Sequence, residues 1–173
     1  LVVLHLAHTR TLLVDFLADA QQVLHMVPDL MRDHIGLGKV TGRAELAAQL
    51  GVRAIASNAE AARDAEIVIL AVKPQVLDEA LHDLAGQLRP DALALSIVAG
   101  ATIETLRRGL QLQAIVRVMP NTPGQVGQGI SMWTATSEVT AVQRAQAQAI
   151  IGALGREVYA DKEDYLDMAT ALR

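Results

Sequence analysis

Cysteine is absent from this sequence of 173 residues, and aromatic side chains are scarce. Without cysteine the chain can form neither disulfides nor thiolate metal sites, and we expect a cytoplasmic location. Because aromatic residues make up only 2% of the sequence, stacking on single-stranded nucleic acid is not expected. The net charge of −4 and the absence of a run of Lys and Arg also argue against binding to nucleic acid.

Long apolar runs are missing too. No segment approaches the roughly 20 residues that a membrane-spanning helix needs, so we expect no membrane association. The opening LVVLHLAHTR has neither a basic start nor a cleavage pattern, and is therefore a poor signal peptide. The sequence does contain many aliphatic residues: 51% of it is hydrophobic, which is enough for one well-buried domain.

Apolar runs and helical patterns alternate from residue 35 onward. The strongest predicted strand, EIVILAV at 66–72, is continuously apolar, as expected for a central parallel strand that is covered on both faces. Further strands are predicted over 52–55, 92–100, 114–119, 129–135 (as an edge strand) and 156–160. Helices are predicted over 57–65, 74–88, 101–110 and 137–155, the last with Ser137 as its N-cap. This alternation predicts an α/β domain with a mostly parallel sheet.

Ligands of such sheets bind beyond the carboxyl ends of the strands, so the loops that follow the strands are the candidate site. In AVKPQ (71–75), the backbone and Lys73 can face an anionic ligand at a helix N-terminus; the alternative is an ordinary turn with a solvated lysine. In VAGAT (98–102), small residues let a ligand approach the backbone; the alternative is a tight turn that leads to Thr102 as an N-cap.

Two prolines frame the loop MPNTPG at 119–124. Pro120 and Pro123 fix two φ angles and bias the residues before them towards extended geometry, so Asn121 lies on a rigid support. This support can hold the Asn121 amide against a ligand; the alternative is a rigid turn without a ligand. After the strand at 52–55, Ser57 is explained as a helix cap, which leaves Asn58 free to face the same sheet edge.

None of these loops contains a nucleophile beside a base, a pair of carboxylates or a cluster of metal ligands. The five histidines likewise show no spacing typical of metal ligands. We therefore assign no catalytic side chain and no metal site, and we expect the chemistry to be that of a bound cofactor.

Four stretches resemble pyrroline-5-carboxylate reductase in the family's order and spacing: RAELAAQLGVRA, DAEIVILAVKPQ, LALSIVAGATIETL and VRVMPNTPGQVGQG. The resemblance covers roughly residues 42–173, and the pair AVKPQ and MPNTP is specific. It implies a Rossmann-like, doubly wound fold with helices on both faces of the sheet. It also implies reduction of a small-molecule imine, 1-pyrroline-5-carboxylate, to L-proline with NADPH or NADH, by hydride transfer to the imine carbon.

The resemblance further implies roles for the loop residues. Asn58 would lie near the adenosine half of the dinucleotide, and Ala99 and Gly100 would lie near its nicotinamide half. The loop after the strongest strand would line the dinucleotide with Ala71, Val72, Lys73 and Pro74. The proline-framed loop would border the nicotinamide and the substrate carboxylate with Met119, Asn121 and Pro123.

The resemblance also implies a domain organisation. Residues 1–160 would form the dinucleotide-binding domain, and 161–173 would begin a helical dimerisation domain. Since the chain begins with Leu1 and stops inside a predicted helix, we expect it to be a piece of a longer protein that forms a homodimer or a larger homo-oligomer. In the family much of the substrate pocket comes from the second domain, so we expect this chain alone to be inactive or nearly so.

The front of the chain departs from the family pattern, which requires a glycine-rich GxGxxG turn near residues 8–13. The sequence there is HTRTLL, no glycine precedes Gly36, and GLGKVTG at 36–42 has the wrong spacing. One explanation is a different phosphate site built from Thr9, Arg10 and a helix N-terminus. The preferred hypothesis is that residues 1 to about 40 are a frameshifted reading of the gene. Resequencing tests it, and an in-frame HTRTLL would contradict it.

Two other functions stay open. Another NADP-linked enzyme, such as an F420-dependent NADP oxidoreductase, is disfavoured because MPNTP follows AVKPQ. A non-catalytic relative of the reductase is favoured by the missing glycines. Binding of NADP(H) distinguishes an enzyme domain from a non-catalytic relative.

Overall fold

The computed structural model describes residues 2–4, 55–121 and 129–171. Within these ranges the strands are β1 Val2–Leu4, β2 Ile67–Leu70, β3 Leu93–Ser96, β4 Ile115–Met119, β5 Gly129–Ala135 and β6 Gly155–Tyr159. The helices there are α1 Asn58–Ala62, α2 Leu77–Leu84, α3 Ile103–Leu110, α4 Ala141–Gly152 and α5 Asp164–Ala171, with a 3₁₀ turn at Pro74–Val76. None of the helices described is long and apolar enough to cross a membrane.

The strands form one sheet in sequence order, from β1 to β6. Strands β2, β3 and β4 run parallel, and so do β5 and β6, whereas β4 and β5 are antiparallel. Helix α2 connects β2 to β3, and α3 connects β3 to β4. This arrangement confirms the predicted α/β fold with a mostly parallel sheet.

The first strand runs against its neighbour. β1 is antiparallel to β2, with Val2 opposite Ile69. In a Rossmann sheet the first strand is parallel to the strands beside it, so the front of the chain departs from that pattern in topology as well as in its lack of glycine. The other predictions for the front lie outside the described residues: the turn at 8–13, GLGKVTG at 36–42, Thr9, Arg10 and the strand at 52–55, of which the structure describes Ile55 alone, outside any strand.

Strand β2 is buried on both faces of the sheet. Val68 and Leu70 pack with α2 and α3 on one face. Ile67 and Ile69 pack with α4 on the other face. The unbroken apolar run of this strand follows from its double burial, as the sequence predicts.

Strand β5 is an interior strand, so its prediction as an edge strand is wrong. It pairs with β4 on one side and with β6 on the other, and β6 forms the edge. Its polar residues Ser131 and Thr134 are buried. Pairing with β6 makes β5 an interior strand, and the sequence pattern of β5 does not reveal that pairing.

Helix α4 starts later than predicted, because Thr140 and not Ser137 is its N-cap. The Thr140 hydroxyl accepts from the Gln143 backbone N–H at 3.2 Å, and the Gln143 side-chain oxygen accepts from the Thr140 N–H at 3.0 Å. This reciprocal capping box satisfies two donors of the helix start. The Ser137 hydroxyl donates instead to its neighbour Glu138.

Helix α2 ends earlier than the predicted boundary at residue 88. Its last residue is Leu84, and Gly86 then adopts φ +67, a left-handed conformation that glycine permits at helix ends. Pro74 begins the 3₁₀ turn that precedes α2, so the α-helix itself starts at Leu77 and not at the predicted residue 74. Leu88 packs against the core although it lies beyond the helix.

The single tryptophan, Trp133, is buried where β5, β6 and α4 meet. Its ring meets that of Tyr159 edge to face at a centroid distance of 4.9 Å. The guanidinium of Arg144 on α4 lies 5.6 Å from the Trp133 ring and 4.6 Å from the Tyr159 ring. The indole N–H donates to Glu157 of β6. These contacts join the edge strand to α4.

Helices α2 and α3 approach each other closely at Gly109. A Cβ added to Gly109 would lie 2.7 Å from Leu81 Cδ1 and 3.0 Å from Leu81 Cβ, and Leu81 is buried. Gly152, the last residue of α4, has nothing within 4 Å of such a Cβ. A methyl group therefore fits at Gly152, whereas at Gly109 it displaces the core.

We predict that Gly109→Ala and Gly152→Ala change stability in opposite directions. Alanine favours a helix over glycine by about 1 kcal/mol, so Gly152→Ala should stabilise the fold by up to about that amount. At Gly109, overpacking against Leu81 should outweigh this gain and destabilise the fold by about 1–2 kcal/mol. Chemical denaturation followed by circular dichroism measures both changes, and a stabilised Gly109→Ala variant would contradict the close packing of α2 on α3.

Candidate functional site

Strands β2, β3 and β4 end at one edge of the sheet, which we call the carboxyl edge. Because these strands are parallel and in register, Leu70 lies beside Ser96, and Ser96 lies beside Arg117. The loops that follow the three strands therefore leave the sheet at the same edge. Strand β5 begins there as well, because it is antiparallel to β4. Three of the four predicted loops thus start at this edge.

Lys73 is exposed after β2, at the start of the 3₁₀ turn, and Pro74 follows it. In the described structure neither Lys73 nor Val76 caps the following helix with its side chain. A helix start without a capping side chain presents backbone N–H groups to an anion, and Lys73 adds a positive charge. Asp78 and Glu79 in the first turn of α2 carry the opposite charge. The part of this loop that suits an anion is therefore confined to Lys73 and the backbone before α2.

The loop after β3 presents backbone at the surface. Gly100 adopts φ +75, and a Cβ added to it would have nothing within 4 Å. Ala99 beside it is exposed. The loop ends at Thr102, which caps α3 as predicted: its hydroxyl accepts from the Thr105 N–H at 3.2 Å. A ligand can therefore approach the backbone at Gly100 closely.

Asn121 is half-buried directly after β4 and Pro120. Its side-chain carbonyl accepts from the Ile130 N–H of β5 at 2.9 Å, a contact that holds the amide in one place. Since the carbonyl is engaged, the amide nitrogen is the end of this side chain that suits a ligand acceptor. Pro123, the second predicted support, lies outside the described residues.

Several predicted site residues are turned into the core. Val72 and Met119 are buried, and Ala71 packs against the cluster on the α4 face. Met119 packs with Leu166 of α5 and Met132 of β5. At Val72 and Met119 a ligand can be contacted mainly through main-chain atoms.

Asn58 is not free, contrary to the sequence prediction. Ser57 caps α1 as predicted, because its hydroxyl accepts from the Glu60 N–H at 3.2 Å. Asn58 is buried, however, and its Nδ2 donates to Asp83 Oδ2 at 3.1 Å. Asp83 lies in the last turn of α2, away from the helix start at the carboxyl edge. The contact ties α1 to α2 between residues 25 positions apart, which no local pattern reveals.

Arg117 is a buried charged residue to which the sequence pattern assigns no role. It lies in β4 with 1% of its side chain exposed, and it donates to Glu163 Oε1 at 2.7 Å and to Asp167 Oδ1 at 2.6 Å. Burial alone would lower the pKa of Arg117, but its bonds to Asp167 and Glu163 outweigh burial and raise the pKa above its ordinary value. The available signal was one arginine inside the apolar strand IVRVM, since a buried guanidinium requires carboxylate partners.

We predict that Asn121→Ala loosens the start of β5. Ile130 loses its acceptor, so its amide should exchange with solvent about fivefold faster, as expected for a hydrogen bond worth about 1 kcal/mol. Asn121→Asp keeps an oxygen in the same place and serves as the matched control. Amide hydrogen exchange measured by NMR checks both variants, and equal exchange at Ile130 in wild type and Asn121→Ala would show that the bond is not formed.

The chain is similar in sequence to pyrroline-5-carboxylate reductases. It is 39% identical over 131 residues to that of Pseudomonas aeruginosa and 43% identical over 122 residues to that of Synechocystis sp.. These matches cover 75% and 70% of the chain but only 48% and 45% of the relatives, so the chain spans about half the length of the curated relatives it matches. Residues 34–100 also match a family described as NADP oxidoreductase coenzyme F420-dependent.

Solved structures give the same likeness. Pyrroline-5-carboxylate reductase from Coxiella burnetii matches with a TM-score of 0.75 and 25% identity, over 89% of this chain and 60% of that one. Plasmodium falciparum pyrroline carboxylate reductase with NADP bound matches with a TM-score of 0.62 and 32% identity, over 68% of this chain and 45% of that one.

A mostly parallel sheet with helices on both faces and loops gathered at the carboxyl ends of its strands defines the class of Rossmann-like domains. This confirms the predicted doubly wound fold. Within that class, the chain is a relative of pyrroline-5-carboxylate reductase, in sequence and in fold. The resemblance predicted from AVKPQ and MPNTP is therefore confirmed.

Proposed function

We propose that this chain supplies the NADPH-binding domain of a protein that reduces 1-pyrroline-5-carboxylate to L-proline. Similarity to pyrroline-5-carboxylate reductases over 75% of the chain carries the proposal. A match of that extent in 173 residues necessarily includes the middle of the chain, where the Lys73 and Asn121 loops lie. The NADP bound to the Plasmodium falciparum relative supports NADP as the cofactor, with NAD as the alternative.

In this proposal the dinucleotide lies along the carboxyl edge. Lys73 and the uncapped helix start hold its phosphates. Gly100 and Asn121 would border the nicotinamide ring, which when bound would supply the hydride for the imine carbon, and the imine nitrogen would be protonated from solvent. Hydride transfer needs reacting atoms about 3–3.5 Å apart, which suits a loop that is tied to β5. The proposed cofactor residues are Ala71, Val72, Lys73, Pro74, Ala99, Gly100, Met119, Asn121 and Pro123, whereas the amide of Asn58 is bonded to Asp83 and is left out of the proposal.

The proposal also includes the domain organisation, the oligomeric state and the location of the full-length protein. Residues 1–160 form the cofactor domain, and 161–173, which include α5, begin a helical second domain. That domain completes the substrate pocket and makes the full-length protein a homodimer or larger homo-oligomer. A cytoplasmic location fits a biosynthetic enzyme whose chain contains no cysteine.

An F420-dependent NADP oxidoreductase is the second candidate, favoured by the family match at residues 34–100. That match ends before β4 and the Asn121 loop, so it supports only the cofactor-binding half of the assignment. The match to the Pseudomonas aeruginosa relative covers 131 of 173 residues and so must extend past Asn121, and that relative is named pyrroline-5-carboxylate reductase. The imine reductase is therefore the preferred function.

We predict that the chain binds NADPH with a micromolar Kd, measured by isothermal titration calorimetry. Lys73→Ala should raise this Kd about tenfold, since a charge-assisted bond to phosphate contributes about 1.5 kcal/mol. Lys162→Ala removes the same charge from an exposed position before α5 and should leave the Kd unchanged. No binding at millimolar NADPH would contradict the proposal and leave a non-catalytic relative.

The reaction itself is tested with the complete product of the gene. Oxidation of NADPH, followed by its absorbance, should depend on added 1-pyrroline-5-carboxylate. Oxidation that depends on coenzyme F420 and not on the imine would favour the second candidate instead.

A further inference from the structure

Glu163 connects two elements that flank the proposed cofactor site. Its Oε1 atom accepts from the Ile103 backbone N–H at 2.8 Å and from Arg117 Nη1 at 2.7 Å. The residue lies directly before α5. One carboxylate oxygen thus joins the start of α3, the middle of β4 and the start of α5.

Each of its two donors is next to a loop at the carboxyl edge. Ile103 is the first residue of α3 and follows the loop that contains Gly100. Arg117 lies in β4, which leads directly into the Asn121 loop. Glu163 therefore bonds to α3 and to β4, the two elements that adjoin the loops of Gly100 and Asn121.

Both bonds to Glu163 are charge-assisted and largely shielded from water. The side chain of Arg117 is 1% exposed and that of Glu163 is 28% exposed. The Ile103 N–H is a helix-start donor without an intrahelical partner, and a negative charge there also favours the helix dipole. Arg117 Nε has no partner among the described residues, so the guanidinium is held through its bonds to Glu163 and Asp167. Charge-assisted bonds in a low-dielectric environment hold their geometry firmly.

Asp167 provides the matched comparison within the same ion pair. It accepts from the same guanidinium, at 2.6 Å, from one turn further along α5. Its side chain is 58% exposed, and its bond joins β4 to α5 without reaching α3. The two carboxylates therefore share Arg117 but differ in the contact with Ile103.

We propose that Glu163 is a positioning residue for the cofactor: it fixes the distance between the Gly100 and Asn121 loops and so sets the width of the slot for the nicotinamide ring. The inference rests on the proposed function, which assigns that slot to the ring. Glu163 takes no chemical step, because it acts through Ile103 and Arg117.

Affinity for NADPH tests the inference in three variants of the chain. Glu163→Ala removes the bridge, Glu163→Gln keeps an acceptor oxygen, and Asp167→Ala removes an Arg117 ion pair but keeps the bridge. By calorimetry we expect the Kd to rise about tenfold in Glu163→Ala, to recover in part in Glu163→Gln, and to change less than about twofold in Asp167→Ala. Equal losses in Glu163→Ala and Asp167→Ala would overturn the proposal, because anchoring of α5 would then explain both. An unchanged Kd in Glu163→Ala would overturn it too.

A second readout needs no cofactor. NMR order parameters of the backbone amides of Gly100 and Asn121 report loop motion on the picosecond-to-nanosecond timescale. They should fall in Glu163→Ala and stay unchanged in Asp167→Ala, while the order parameter of buried Leu95 stays constant in both. If Glu163→Ala does not fold, Glu163→Gln carries both measurements, with smaller changes expected.

The two readouts also separate the inference from the proposed function. If the wild-type chain binds no NADPH, the proposed function fails, and the order parameters alone decide whether Glu163 holds the two loops. Unchanged order parameters at Gly100 and Asn121 would then overturn the inference.

Discussion

Parallel pairing of β2, β3 and β4, with both faces of β2 covered by helices, is the constraint on which the rest of the structure depends. Parallel neighbours require crossover connections, which α2 and α3 supply, and every crossover begins where a strand ends. Residues as far apart in sequence as Lys73, Gly100 and Asn121 therefore come to one edge of the sheet. The fold thus assembles the candidate site from loops that are distant in sequence.

Arg117 interrupts the apolar pattern that this pairing imposes. Breaking a buried ion pair by removing one partner typically costs about 3–5 kcal/mol, because the remaining charge stays buried. Asp167 is 58% exposed, so solvent screens its charge and weakens its interaction with Arg117. Glu163 is 28% exposed and therefore supplies most of the negative charge that stabilises the buried guanidinium. Helix α5 is thus held to the sheet by charge as well as by the burial of Leu166.

Local patterns predicted the parts of the fold that depend on local physics. Double burial made β2 recognisable, and short-range hydrogen bonds made the caps at Ser57 and Thr102 recognisable. The bond from Asn58 to Asp83 and the ion pair of Arg117 with Glu163 join residues 25 and 46 positions apart, so no local pattern contains them. The loops of the site could also be predicted from local patterns, because each loop begins where a predicted strand ends. Burial of the Val72 and Met119 side chains could not, because it depends on tertiary packing.

The surroundings of Trp133 decide what its fluorescence can report. The indole lies among Tyr159, Arg144 and Glu157, which belong to β6 and α4 and not to the loops of the carboxyl edge. A buried tryptophan emits at shorter wavelength than one in water, so a red shift would mark separation of the last strand from α4. Because the chain has a single tryptophan, this signal is unmixed. The emission wavelength of Trp133 therefore reports whether β6 stays packed against α4.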